Sequence, residues 1–159
     1  MASEDLSEVK LTDRFSLQGK QFLITGGARG IGFAVAKSIA QLGGGVAILD
    51  ALPKPVDEFS TLADRYGVKT SYHQADITDQ KSLESAFDDA VKAKGQLHGA
   101  FTAAGICVDE KLIDASWDLS RKVLDINVMG TFWTAKLVSR HLIETNTPGS
   151  IVMVASLSA

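Results

Sequence analysis

Gly26, Gly30 and Gly32 are spaced through the run Thr25-Gly26-Gly27-Ala28-Arg29-Gly30-Ile31-Gly32. A short, mostly apolar run, Gln21-Phe22-Leu23-Ile24, precedes it, and Phe33 to Ala40 follows with helical character. A glycine turn between a strand and a helix can bind phosphate. Its backbone reaches positive φ, and no Cβ keeps the phosphate away. The helix start then offers free N–H groups and the positive end of its dipole. The spacing G-x-x-x-G-x-G differs from the G-x-G-x-x-G dinucleotide fingerprint but uses the same parts. The plain alternative is a glycine-rich turn with no ligand. The other phosphate loop, G-x-x-x-x-G-K-[ST], is absent from the sequence.

Asp50 follows the loop by about 20 residues, at the end of an apolar run. A carboxylate there can accept hydrogen bonds from an adenosine ribose and would repel a 2′-phosphate, which favours NAD over NADP. Arg29 points the other way, since a guanidinium can grip a 2′-phosphate. A solvated turn is the ordinary alternative for Asp50. Asp76-Ile77 could flank an adenine ring, with the carboxylate toward its amine and the Ile against its face. An Asp in such a loop can equally be only a helix cap.

Asn127 falls inside a long helical pattern, where Asn competes for backbone hydrogen bonds. It needs either a satisfied amide or a role in a site. Ser156, just past the last apolar run, puts a hydroxyl at a strand end. The single cysteine, Cys107, has no basic partner placed to activate it. His73, His98 and His141 lack metal-ligand spacing, so no metal is expected.

The elements that must carry these residues alternate. Strands are predicted at Gln21–Thr25, Val46–Leu49, Val68–Gln74, Leu97–Ala103 and Ser150–Ala155. Helices are predicted at about Gly30–Leu42, Val56–Tyr66, Gln80–Lys94 and Ser116–Glu144. Ile31, Val35 and Ile39 lie on one face of the first helix. Gly43-Gly44-Gly45 and Gly67 read as helix stops. Thr78 or Asp79 is the cap of the third helix. Trp117 and Trp133 are expected to pack in or beside the long helix. Residues 1–15 are polar and acidic and read as a mobile arm. Residues 16–159 then form one α/β domain, a Rossmann-type doubly wound parallel sheet of five strands. Ligands of such sheets sit beyond the C-terminal strand ends, where strand order reverses. Thr25, Asp50, Asp76, Ala103 and Ser156 all fall there.

The chain has 159 residues, 45% of them hydrophobic, with a net charge of −3. That charge gives no footprint for nucleic acid or an anionic membrane. No segment reads as a membrane span or signal peptide, and one cysteine fits a reducing compartment, so a cytoplasmic protein is expected.

Taken together, these residues resemble the short-chain dehydrogenase/reductase family. Thr25 to Gly32 looks like its T-G-x-x-x-G-I-G cofactor loop, and Asp76 matches its adenine-contacting Asp. Ala103-Ala104-Gly105 is similar to its N-A-G motif, with Ala103 in place of Asn. Asn127-Val128-Met129-Gly130 matches N-V-x-G, and Ser150 to Ser156 resembles the strand that ends in the substrate-side Ser. Ala155-Ser156-Leu157-Ser158 is similar to the polyol and ketose reductases. The resemblance implies hydride transfer between NAD or NADP and a small carbonyl or alcohol substrate, usually in a homo-oligomer. It implies that Ser156, with Ser158 as runner-up, bonds the substrate oxygen and that Asn127 holds a water in a proton relay. The family's Y-x-x-x-K acid/base motif is not found. Tyr66 and Tyr72 precede the fourth strand, and neither has Lys four residues later. The expectation is therefore a fragment or truncated product, with weak cofactor binding, no turnover and apolar surface bared beside the long helix. The competing readings are an inactive dinucleotide-binding module and, more weakly, a dinucleotide sensor.

Overall fold

The computed structural model describes residues 14–156, so most of the expected N-terminal arm, and Ser158, lie outside the described residues. Five strands form one sheet: β1 (Gln21–Thr25), β2 (Gly45–Asp50), β3 (Thr70–Gln74), β4 (Gly99–Thr102) and β5 (Ser150–Met153). Their order is β3-β2-β1-β4-β5, and every neighbouring pair is parallel. Strand order reverses between β1 and β4, as the alternating sequence pattern requires.

Side chains alternate across each strand, so neighbours in sequence enter opposite cores. Leu23, Ala47, Leu49 and Ala100 pack with Leu83, Ala86, Phe87 and Ala90 of α3 (Gln80–Lys94) and Leu137 and Val138 of α5 (Thr131–Glu144). On the other side Ile24, Val46 and Ile48 meet Ala36 of α1 (Gly30–Gln41).

The buried face of α1 is not the one that Ile31, Val35 and Ile39 share. Its buried residues are Gly32, Phe33, Ala36 and Ala40, and Ile31 is 68% exposed. Small side chains four apart let this helix approach the sheet closely, and the bulkier Val35 and Ile39 are left at its flank. Only Gly43 and Gly44 end the helix: Gly43 has φ +85°, and the Gly44 N–H reaches the Ile39 carbonyl. Gly45 already pairs with Gln21 in the sheet.

The segment predicted as one helix from Val56 is a 3-10 turn at Asp57–Thr61 followed by α2 (Leu62–Tyr66). β3 (Thr70–Gln74), β4 (Gly99–Thr102) and β5 (Ser150–Met153) are shorter than predicted. Hydrogen bonds from Ala103 N–H to Thr25 O and from Val154 N–H to Thr102 O continue the ladders one residue further.

The long C-terminal helix is not uniform. It comprises α4 (Trp117–Leu124), a π-helical turn (Asp125–Gly130) and α5. Ser116 caps α4 through a bond from the Leu119 N–H. Trp117 is 81% exposed and does not pack, unlike Trp133, whose ring carries the Lys136 ammonium 4.0 Å from its centre.

Candidate functional site

The turn from β1 into α1 is shaped by contacts that exclude side chains. Gly26 has φ +68°, and a Cβ there would lie 2.5 Å from the Ala104 nitrogen, so the loop presses onto the end of β4. A Cβ on Gly32 would strike the Gly26 carbonyl. Gly30 differs: its φ is +59°, but the space beside it is open. The first residues of α1 receive no side-chain cap from Arg29, and no acidic residue sits in its first turn. Their N–H groups and the positive helix end are thus left for an anion.

Asp50, at the end of β2, reaches back to this loop. Its Oδ2 accepts from the Ala28 N–H at 2.9 Å and its Oδ1 from the Leu52 N–H at 3.0 Å. Each oxygen keeps further acceptor capacity. Asp76 follows β3, and its Oδ1 accepts from the Thr78 N–H at 2.9 Å and the Thr78 hydroxyl at 2.7 Å. Capping of α3 falls to Asp79, which accepts from the Ser82 N–H at 2.7 Å, so Asp76 is not the cap. Ile77 is buried against Gly130, where a Cβ would collide with its side chain.

Beyond β4 the chain opens through Ala103-Ala104-Gly105 to Ile106. Asn127, in the π-helical turn, holds that loop. Its Oδ1 accepts from the Ile106 N–H and its Nδ2 donates to the Ile106 carbonyl, both at 2.9 Å. This satisfies the amide that the helix pattern left unexplained. A π turn widens the helix there and is a frequent device at functional sites.

These segments enclose a cleft of about 430 Å³ at the switch point between β1 and β4. Gly26, Arg29, Gly30, Ile31, Gly32, Asp50, Asp76, Ile77, Ala103, Ala104 and Gly105 all line it. The exposed Ile31 is therefore a wall of the cleft rather than part of the core. Asn127 and Ser156 do not line it. Asn127 acts on the loop from behind, and Ser156 is exposed beyond the end of β5. Sequence reasoning missed Leu49, Ala51, Leu52, Ala75, Ile106 and Ile126, which complete the walls. All but Ile126 directly flank or follow a residue already singled out at a strand end. Ile126 shares a helix face with the buried Gly130, Thr134 and Leu137, a spacing that marks it as inward but not as part of a site.

His98 and His141 each anchor a backbone amide at or just before a strand start. His98 Nδ1 accepts from the Gln21 N–H and His141 Nε2 from the Leu97 N–H, both at 3.1 Å. Burial pushes the His73 imidazole below its ordinary value, with Asp89 opposing and Lys94 adding to the shift. Among the described residues no group of three or more His, Cys, Asp or Glu could hold a metal ion. No described helix is long and apolar enough to cross a membrane.

A parallel doubly wound sheet with a glycine loop at its switch point defines a dinucleotide-binding domain of Rossmann type. The short chain dehydrogenase family model matches residues 20–159. The chain is 34% identical to a sorbose reductase of Schizosaccharomyces pombe over 93% of its own length and 59% of that protein's. It superposes on an NADPH-dependent 3-quinuclidinone reductase from Rhodotorula rubra with a TM-score of 0.82 and 33% identity, covering 95% of this chain and 57% of the reductase. An NAD+-bound xylitol dehydrogenase gives a TM-score of 0.83 and 30% identity, with 89% and 55% covered. The chain belongs to the short-chain dehydrogenase/reductase family. It spans little more than half the length of the relatives it matches.

Proposed function

We propose that this chain forms the cofactor half of an oxidoreductase that moves hydride between a nicotinamide dinucleotide and a small carbonyl or alcohol substrate. One observation carries the reading: eleven residues from four separate stretches, singled out by type and spacing, line one cleft at the switch point. The open face of Gly30 and the uncapped start of α1 fit the pyrophosphate. Asp50 accepts from the adenosine ribose. Asp76 and Ile77 receive the adenine, and Ala103 to Gly105 form the floor. The nicotinamide ring, when bound, supplies or accepts the hydride. Ser156 donates to the substrate oxygen, and Asn127 holds the loop at Ile106 and with it a water of the proton relay.

NAD is the proposed cofactor, because a 2′-phosphate would meet the Asp50 carboxylate. Arg29 beside it is the counterweight, and the solved relatives include both an NADPH-dependent and an NAD+-bound enzyme. The substrate class, a polyol or its ketose, rests on the likeness to sorbose reductase and xylitol dehydrogenase. A cytoplasmic setting fits the lone, exposed Cys107. Self-association of the whole protein fits the exposed Leu112, Ile113 and Phe132, and the charge of −3 argues against nucleic acid. Titration of the chain with NADH and NADPH, followed by nicotinamide fluorescence, tests the reading. NADH should bind and NADPH bind more weakly. Binding of neither removes the reading, and tighter NADPH binding removes the cofactor assignment.

A further inference from the structure

We propose that Tyr72 and Gln74, on the edge strand β3 and outside the cleft, are positioning residues that set the glycine loop for dinucleotide binding. This rests on the reading of the cleft given above. The path runs through hydrogen bonds. The Tyr72 hydroxyl donates to the Leu52 carbonyl at 2.6 Å, and Gln74 Nε2 donates to the Ala51 carbonyl at 3.1 Å. Ala51 and Leu52 line the cleft, whereas Tyr72 and Gln74 do not. The Leu52 N–H is bonded to Asp50 Oδ1, and Asp50 Oδ2 takes the Ala28 N–H. The Ala28 carbonyl in turn accepts from the Val56 N–H at 2.9 Å. Ala28, inside the glycine loop and 1% exposed, is therefore held on one side by Asp50 at the end of β2 and on the other by Val56 in the segment that follows. That segment is pinned from β3.

The register makes this possible. Ile48 pairs with Tyr72 and Asp50 with Gln74, so all four side chains leave the same face of the sheet. Phe59 packs edge-on against the Tyr72 ring, with centroids 6.1 Å apart, and fixes its direction. Burial, with the Asp50 charge adding to it, pushes the Tyr72 phenol up to about 12, so it remains a donor across the physiological range.

The test compares the wild-type chain with Tyr72→Phe and Gln74→Leu, and with Tyr66→Phe as a control remote from the cleft. Loss of one neutral hydrogen bond should weaken NADH binding by roughly three- to ten-fold in Tyr72→Phe. ADP-ribose should lose affinity by the same factor, because the tether serves the adenosine end. The Ala28 and Leu52 amide signals should shift in Tyr72→Phe without ligand and stay in place in Tyr66→Phe. A purely structural role would lower the melting temperature but leave the dissociation constant well below it unchanged, and that result overturns the proposal. Where the wild type binds neither NADH nor ADP-ribose, the reading of the cleft fails. The tether is then decided by the amides alone: unmoved Ala28 and Leu52 signals overturn it, and shifted ones uphold the positioning.

Discussion

Gly26 and Gly30 both hold positive φ, yet they should respond differently to alanine. In Gly26→Ala the new Cβ meets the Ala104 backbone, and neither strand end can yield. Strain and overpacking together should cost about 3 kcal/mol or more, read as a large fall in melting temperature. In Gly30→Ala the Cβ points into open space, and only the backbone conformation is strained, by about 1–2 kcal/mol. The fold should survive while NADH binding falls, since the methyl occupies the phosphate's place. A Gly30→Ala protein that binds NADH as well as the wild type would contradict the proposed cradle. Lys94 offers a different test. Only 6% of its surface is exposed, and burial, with Lys69 adding to it, lowers its ammonium to about 8. Between pH 8 and its ordinary value near 10.5, the unfolded chain binds more protons than the folded one. This term therefore stabilises the fold progressively as pH rises through that window. Lys94→Met should be more stable than the wild type at pH 7 and should flatten that rise, which melting curves across pH would read.

At the level of elements, two local devices can be separated. Asp79→Ala removes the cap of α3 and should cost about 1 kcal/mol, a few degrees of melting temperature, without moving the cleft. Asn127→Leu should cost more, about 2–3 kcal/mol, because both Ile106 backbone groups lose their partner. It should also speed hydrogen exchange selectively at residues 104–107. The contrast shows what the sequence disclosed. The capping Asp, the glycine stops and the alternation of strand and helix are local signals, and their positions were legible to within a few residues. The cleft residues were legible because glycine, Asp and strand ends coincide at fixed spacing. The π turn was not, since its widened backbone leaves no periodic trace over six residues. The buried face of α1 was not legible either, since periodicity picks out the large Ile31, Val35 and Ile39, whereas close helix–sheet packing selected Gly32, Ala36 and Ala40. The tether from β3 was also invisible. Tyr72 and Gln74 act through carbonyls of a turn, and a carbonyl carries no side-chain identity.

For the molecule as a whole, apolar exposure is concentrated at residues 112–132 and on β5, where Leu112, Trp117, Phe132, Val152 and Met153 are all exposed. Surface of this kind favours association. The chain should enhance the fluorescence of an apolar dye such as anilinonaphthalene sulfonate in its folded state, and Phe132→Lys with Met153→Lys should reduce that signal while the melting temperature holds. An unchanged dye signal would mean that these side chains do not form the accessible patch.

The all-parallel order of the sheet has a further consequence, for the chain as it is made. No two neighbouring strands can meet through a tight hairpin, so every pairing waits for a crossover to be completed. β1 occupies the centre, with Phe22 paired to Val46 on one side and to Gly99 on the other. As the chain leaves the ribosome, β1, β2 and β3 can assemble with α1 between them long before β4 is synthesised. During that interval the far edge of β1 is an open row of backbone donors and acceptors in the middle of the future sheet. Closing it depends on residues 99–102, which gives the nascent chain a defined period of vulnerability to chaperones and to misplaced strands.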